Sequence, residues 1–334
     1  MEAKEFEVAI VGAGFGGLGL AIKLLEAGVR DFVILEKAAE VGGTWRENTY
    51  PGAECDVQSH LYSFSFAGKA DWSQRYAGWR EIQQYILDTT DRYDLRRYIR
   101  FNEEVTAARF DAERACWSIR VASGESIAAR HFVLASGPLH VPQIPRIPGL
   151  ESFAGKVFHS AQWDHGYALE GRRVASLGTG GSAIQYCPEI APKVQRLHVF
   201  QRTAAWVTPR DTRKYSAGAK RRFARHPWWR KLHRARLYWT NESRVWPVFH
   251  AGLSKFFEAY ARFFMRRQVK DPQLLQRLTP DYRIGCKRVL VSNAWFPMFN
   301  RPNVELVTDE IREIRPRGIV TEDGTERAVD CIIL

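Results

Sequence analysis

The sequence predicts an α/β protein built of two Rossmann-like, three-layered dinucleotide-binding domains with a basic helical insertion. Three observations carry that expectation. A strand, glycine-loop, helix unit occurs twice, at residues 8–17 and again at 174–183. Each unit is followed downstream by a similar run of short strands. Between Arg210 and Arg277 there are 18 Lys and Arg against 4 Asp and Glu, while the whole 334-residue chain carries +12, so the remainder is slightly acidic.

In the first unit, residues 6–11 read as a buried strand. Gly12 permits the tight turn, Gly14 lets backbone approach a pyrophosphate, and Gly17 lets the helix pack closely on the strand. The helix N-terminus then faces the phosphate charge. The next strand, 31–35, ends at Glu36, nineteen residues after Gly17. An acid there binds a ribose 2′-hydroxyl and repels a 2′-phosphate. The site therefore suits FAD or NAD and not NADP.

The second unit differs at the same point. Its strand is 173–177, its loop is Gly178, Thr179, Gly180, Gly181, Ser182 and Ala183, and its following strand, 197–200, ends at Gln201, Arg202 and Thr203. No acid occupies the ribose-reading position. A guanidinium and a hydroxyl there suit a 2′-phosphate through charge-assisted hydrogen bonds, which makes NADPH the expected ligand. The plainer reading has Arg202 solvating a strand end. Two such turns in one chain point to an enzyme that keeps one dinucleotide and draws electrons from a second, which is the pattern of a flavoprotein.

Comparing the halves exposes the repeat. Residues 105–137 read as strands with a turn at Ser123, Gly124 and Glu125, closing on an apolar run that reaches Ala135, Ser136 and Gly137. Residues 304–334 read alike, with a turn at Glu322, Asp323 and Gly324, and stop before the small-residue crossing. The expectation is the front part of a longer protein. The predicted organisation is an FAD-binding domain over 1–140 without its C-terminal return, a linker over 141–151, an NADPH-binding domain over 152–210 and 285–334, and the helical insertion over 211–284.

Composition excludes several classes. The five cysteines, Cys55, Cys116, Cys187, Cys286 and Cys331, are scattered and odd in number, against a disulfide framework, zinc or dithiol chemistry. The acidic start at residues 1–5 is no secretory signal, and no apolar run reaches membrane-spanning length. A cytoplasmic home is expected. The basic segment leaves three readings: helices packed on the core, a peripheral contact with an anionic membrane surface, or nucleic acid. Leu253, Phe256, Phe257, Tyr260, Phe263 and Phe264 share a helical face, which favours packing and disfavours nucleic acid. Pro227, Pro247 and Pro272 are expected to break the segment into about three helices.

The most specific string lies between the halves: Phe153, Gly155, His159, Trp163 and Asp164 fit Phe-x-Gly-x-x-x-His-x-x-x-Trp-Pro/Asp. With residues 42–45 (Gly-Gly-Thr-Trp), 50–56 (Tyr-Pro-Gly-Ala-Glu-Cys-Asp) and 285–288 (Gly-Cys-Lys-Arg), the chain closely resembles the Baeyer–Villiger monooxygenases of the class B flavoprotein family along its whole length. Relatives with Tyr or Phe in place of Trp163 are flavin-containing N- and S-oxygenases, so Trp163 favours the ketone-oxidising branch.

The resemblance implies roles residue by residue. Gly12, Gly14, Gly17 and Glu36 hold the ADP half of FAD, while Gly43, Thr44, Trp45, Asp56, Tyr62 and Val105 match further FAD positions. Arg202, Thr203 and Lys287 match the 2′-phosphate clamp of NADPH. The matching mechanism has NADPH reduce the flavin, O2 add to give a C4a-peroxyflavin, and that anion attack a ketone to yield an ester or lactone. Arg288 matches the family's cation, with Asp56 as its partner. A buried arginine stays protonated beside an anion. His159 and Trp163 read chiefly as a hinge that positions the domains, ahead of plain packing or direct chemistry. Glu54 and Asp164 stand where better known relatives have Arg and Pro. The alternatives are an N- or S-oxygenase acting on thioethers or amines, or an inactive truncated flavoprotein; without the return segment, release of hydrogen peroxide is expected.

Overall fold

A computed structural model describes residues 5–138, 140–243 and 245–334. Residues 1–4, most of the acidic start, lie outside the described residues. The chain divides into two compact units, one of Met1–Thr49 with Trp79–Pro142, the other of Tyr50–Gly78 with Gln143–Leu334. The sequence-based limits ran the first domain unbroken through 140; the compact unit omits 50–78.

The first unit is a six-stranded sheet with α1 (Phe15–Glu26), α2 (Thr44–Glu47) and α3 (Trp79–Arg92). Its strands are β1 (Glu5–Val11), β2 (Phe32–Glu36), β3 (Ile99–Phe101), β4 (Val105–Asp111), β5 (Cys116–Val121) and β6 (Ser126–Leu134), in the order β3-β2-β1-β6-β5-β4. β1 and β2 are near-continuous apolar runs, as strands covered on both faces must be, and β2 is buried throughout. β1 lies parallel to both neighbours, with Ala9 opposite Val33 on one side and Phe132 on the other. β4 and β5 attach antiparallel beyond β6. In α1, Leu18, Ala21 and Ile22 are buried at the spacing of one helical face.

The second unit repeats the arrangement. Five parallel strands, β7 (Lys156–Phe158), β8 (Arg173–Leu177), β9 (Arg196–Phe200), β12 (Val304–Val307) and β16 (Cys331–Ile333), run in the order β12-β9-β8-β16-β7. α4 (Ala183–Ile190) follows β8. A separate parallel pair joins β10 (Val207–Thr208) to β11 (Leu290–Val291), followed by α10 (Trp295–Met298). An antiparallel ribbon holds β13 (Ile311–Arg315), β14 (Gly318–Thr321) and β15 (Glu326–Ala328). The repeat expected from the sequence is visible in the pairing. β6 returns beside β1 in the first unit, and β16 returns beside β8 in the second. Both expected turns form, with Gly124 at φ +89 and Gly324 at φ +81.

Among its described residues the basic segment holds five helices rather than about three: α5 (Ala217–Arg225), α6 (Pro227–Ser243), α7 (Trp246–Phe249), α8 (Ala251–Arg266) and α9 (Pro272–Leu278). The prolines begin helices instead of breaking them. Pro227 and Pro272 are first residues, where the missing N–H would have had no partner in any case. Asp271 caps α9 by accepting from the Gln273 N–H at 2.8 Å. The expected packed face of α8 is also corrected. Leu253, Phe256, Tyr260 and Phe263 are exposed, and the helix buries Ser254, Ala261 and Met265 with Phe257 and Phe264 half-buried. Ala261 packs with Trp206 and Ile284. A small side chain is what a neighbouring indole leaves room for.

Among the described residues no helix is long and apolar enough to cross a membrane. All five cysteines are free; four are buried, and burial pushes the thiols of Cys55, Cys187 and Cys331 up to about 12.

Candidate functional site

In the first unit the glycine loop is built as the sequence requires. Gly12 has φ +100, and a Cβ there would stand 2.7 Å from the Ala135 carbonyl oxygen. A Cβ on Gly17 would meet the Gly12 oxygen at 2.0 Å, so strand and helix approach as only glycine allows. Gly14 caps α1 and stands against the Gly42–Gly43 pair, its would-be Cβ 3.8 Å from the Gly43 Cα. This brings the Gly-Gly-Thr-Trp string to the loop, with Thr44 opening α2 and Trp45 buried.

Glu36 ends β2 and is buried. One carboxylate oxygen accepts from the Ala13 N–H at 2.8 Å; the other accepts from the Ala38 N–H at 3.0 Å and Arg46 at 3.2 Å. A carboxylate offers about four acceptor sites, so capacity for a ribose hydroxyl remains. Arg46 was not singled out from the sequence. Its signal, an arginine one turn into a helix beside a buried acid, appears only once β2 and α2 are folded together. Val105 opens β4, and its side chain packs against the sheet core of Phe6, Val33 and Leu35.

In the second unit, Gly178 has φ +106 and its N–H donates to the Phe200 oxygen at 2.9 Å. Nothing lies within 4 Å of a Cβ placed on Gly178, Gly180 or Gly181, so the loop before α4 has an open face. Ser182 precedes α4, and Ala183 is buried at its start. The Thr179 hydroxyl donates to the Thr203 carbonyl at 3.3 Å, tying this loop to the end of β9. There, a cleft of about 310 Å³ is lined by Gln201, Arg202, Thr203, Arg277, Thr279 and Thr308, among others. Its second cation is Arg277. Lys287 is not in that wall; its ammonium stands 4.7 Å over the Tyr282 ring. Arg277 lies in the basic insertion, 75 residues from Arg202, and spacing alone gave no signal for it.

The 50–57 loop carries Asp56. Gln185 of α4 clamps it: its side-chain oxygen accepts from the Tyr50 hydroxyl at 3.0 Å and the Glu54 N–H at 3.2 Å, and its nitrogen donates to the Glu54 carbonyl at 2.9 Å. A Cβ on Gly52, at φ +75, would stand 2.8 Å from the Gln185 carbonyl oxygen. Asp56 forms an ion pair with Arg288, just before β11. The Arg288 side chain is 65% exposed, so its guanidinium is joined to the acid on one side and open on another. The expected buried arginine is therefore an exposed one among the described residues. Tyr62 is half-buried one turn after Gln58, whose carbonyl accepts its N–H at 2.8 Å. His60 is buried against the rings of Tyr215, Phe223 and His233, and burial, then His233, Arg230 and Arg234, push its imidazole down to about 3. It offers no proton near neutral pH.

The Phe153–Asp164 string is a packed piece of the second unit. Phe153 belongs to its core, and a Cβ on Gly155 would stand 2.5 Å from the Asp330 carbonyl oxygen. His159 Nδ1 accepts from the Ala161 N–H at 3.0 Å, capping a short turn; burial holds this imidazole below the usual histidine range, which keeps Nδ1 an acceptor. Trp163 lies edge-on to Phe158 and tilted on Tyr186, at 5.1 and 5.3 Å. Asp164 pairs with Lys156 at 2.6 Å and accepts from the Gly166 N–H at 2.9 Å, which gives this acid a local structural partner.

Comparison with known proteins shows the family and the fold. Residues 5–220 match the family described as flavin-binding monooxygenase-like. A Baeyer–Villiger monooxygenase of Streptomyces coelicolor is 48% identical over 328 residues, covering 98% of this chain and 63% of the relative. The chain thus spans less than two thirds of that relative's length. Among solved structures, ε-caprolactone-bound cyclohexanone monooxygenase in its Loose conformation matches with a TM-score of 0.88 at 29% identity, over 99% of this chain and 73% of the other. Oxidized steroid monooxygenase bound to NADP matches with a TM-score of 0.86 at 32% identity, over 99% and 71%.

Proposed function

Since the chain belongs to the flavin-binding monooxygenase-like family, we propose that it works as an FAD- and NADPH-dependent Baeyer–Villiger monooxygenase. The reaction places one oxygen atom of O2 next to a ketone carbonyl and gives an ester or lactone. The observation that carries this reading is the Asp56–Arg288 pair, an ion-paired guanidinium with an open side.

The residues suit both dinucleotides. Gly12 and Gly17 let the turn and helix close tightly and Gly14 leaves backbone open at the start of α1, where the helix dipole favours a pyrophosphate, and Glu36 takes a ribose hydroxyl. Gly178, Gly180 and Gly181 leave an open loop before α4, and Arg202 and Thr203 take a 2′-phosphate, with Arg277 across the cleft. FAD, when bound, supplies hydride acceptance and oxygen activation. Arg288 would supply the cationic charge that an oxygen anion in the site calls for. Asp56 directs the guanidinium. His159 and Trp163 hold the edge of the second unit rather than react. Dioxygen, thioether or amine side substrates and a cytoplasmic location belong to the same proposal. The exposed aromatic and basic face of the 211–284 helices fits peripheral contact with anionic lipid.

Arg288→Ala tests it. NADPH should still reduce the flavin within about threefold of the unaltered rate, while oxygenation of an aryl ketone falls by at least about 100-fold, in line with loss of one preorganised charge. Offering the ketone beside a thioether and an amine separates ketone chemistry from N- and S-oxygenation. Equal loss of reduction and oxygenation would make Arg288 structural and end the proposal.

A further inference from the structure

Glu54, two residues before Asp56, forms an ion pair with Arg210, and this second acid–arginine pair has no part in the chemistry above. The two pairs join the same pieces of chain. Both acids sit on the 50–57 loop, and both arginines flank the β10–β11 ribbon, Arg210 just after β10 and Arg288 just before β11. The ribbon is in register, Val207 opposite Leu290 and Thr208 opposite Val291. It is extended by Arg210 and Asn293, which exchange two hydrogen bonds of 2.9 and 2.7 Å.

The pairs differ in how firmly they are held. Arg210's side chain is 11% exposed, donates to the Cys55 carbonyl at 3.3 Å and lies 4.8 Å over the Tyr76 ring. Glu54 also accepts from Gln74 at 3.0 Å. Arg288, by contrast, is largely exposed and reaches the fold through Asp56. An exposed ion pair orients a long side chain only weakly, because rotamer entropy and solvent screening oppose it. The direction of Arg288 therefore depends on how rigidly Asp56 is presented, and Glu54–Arg210 is the charged contact that pins the backbone on either side of Cys55.

We propose that Glu54 and Arg210 are positioning residues: their part-buried pair fixes the 50–57 loop to the β10–β11 ribbon and so sets the direction of Arg288 through Asp56. This rests on Arg288 being the working cation. Removing one partner alone also strands a part-buried charge, so the neutral pair is the cleaner variant.

The test compares Glu54→Gln, Arg210→Gln and the double variant with Arg288→Ala, by two readouts. Amide hydrogen exchange across residues 53–57 of the FAD-free protein should speed up at least tenfold in the double variant. In the FAD-loaded protein, the share of NADPH oxidation that ends as hydrogen peroxide should rise severalfold, with flavin reduction unchanged within twofold. If both singles fold, the double should be no worse than the poorer single, as for residues acting as one unit. Unchanged exchange in the double variant would overturn the proposal, as would single effects that multiply. If Arg288→Ala raises peroxide while the Glu54 and Arg210 variants do not, the positioning role alone fails. If Arg288→Ala leaves the peroxide share unchanged, the proposed function fails with it, whatever the exchange shows.

Discussion

Between Arg202 and Arg277 lies a cleft of about 310 Å³ that also carries the Thr203 and Thr279 side chains at its wall. Two guanidiniums and the Thr203 hydroxyl form a donor set for a phosphate; the Thr279 hydroxyl already donates to the Leu275 carbonyl at 2.7 Å, and Asp281 adds a carboxylate to the same wall. Arg277 is partly spent, since it donates to the Leu306 carbonyl at 3.3 Å. Lys287 is drawn over Tyr282. Hydrogen bonds to charged groups contribute about 1.5–3 kcal/mol each. Arg202→Ala should therefore lower kcat/KM for NADPH by roughly 10- to 150-fold and leave NADH within about threefold. Arg277→Ala should follow in the same direction with a smaller loss, and Lys287→Ala smaller again. Initial rates of flavin reduction with the two nucleotides measure this directly, and an unchanged preference in Arg202→Ala would remove the 2′-phosphate assignment.

The α8 helix shows where periodicity is decisive and where it is not. Its sequence carries two apolar stripes, Leu253, Phe256, Tyr260, Phe263 and Phe257, Ala261, Phe264, Met265, and only the tertiary neighbour chooses between them. Trp206 is buried against the stripe with the smallest side chain, Ala261. Ala261, 2% exposed, should tolerate no growth: Ala261→Leu should destabilise by about 1–3 kcal/mol through overpacking. Phe256, 72% exposed, should accept Ser within about 0.5 kcal/mol. Urea unfolding of the two variants checks the face, and a reversed order would restore the stripe expected from the sequence. The strands were more legible, because β1 and β8 are largely apolar runs that end on a glycine turn, and β2 and β9 follow each of them one helix later. The site was legible where a local rule acts, at Gly12, Gly17, Glu36 and Arg202. It was not legible where partners meet across long stretches of chain, as Gln185 clamps Glu54 or Arg277 faces Arg202. Nor could sequence spacing show that Glu54 has its own arginine, since Arg210 lies 156 residues away.

Two compact units, each with a sheet and a glycine loop of its own, make the whole molecule a pair of ligand-linked folding problems. A ligand stabilises the unit that binds it by RT ln(1 + [L]/Kd), about 2.7 kcal/mol at one hundred times Kd. Chains with more than one core commonly depart from two-state unfolding. Heat unfolding of the ligand-free protein should therefore resolve two transitions. NADP+ should raise the transition of the unit that carries Gly178 and Arg202, and Arg202→Ala should abolish that shift while leaving the ligand-free trace in place. FAD should raise the transition of the unit that carries Gly12 and Glu36, and Gly14→Leu, which fills an open stretch of that loop, should suppress the FAD shift alone. Calorimetry with each ligand separately decides the matter. A single transition moved equally by both ligands would mean that the two glycine loops, though folded from separate stretches of sequence, report one cooperative unit, and the division of labour between Glu36 and Arg202 would then have to be read from cofactor preference alone.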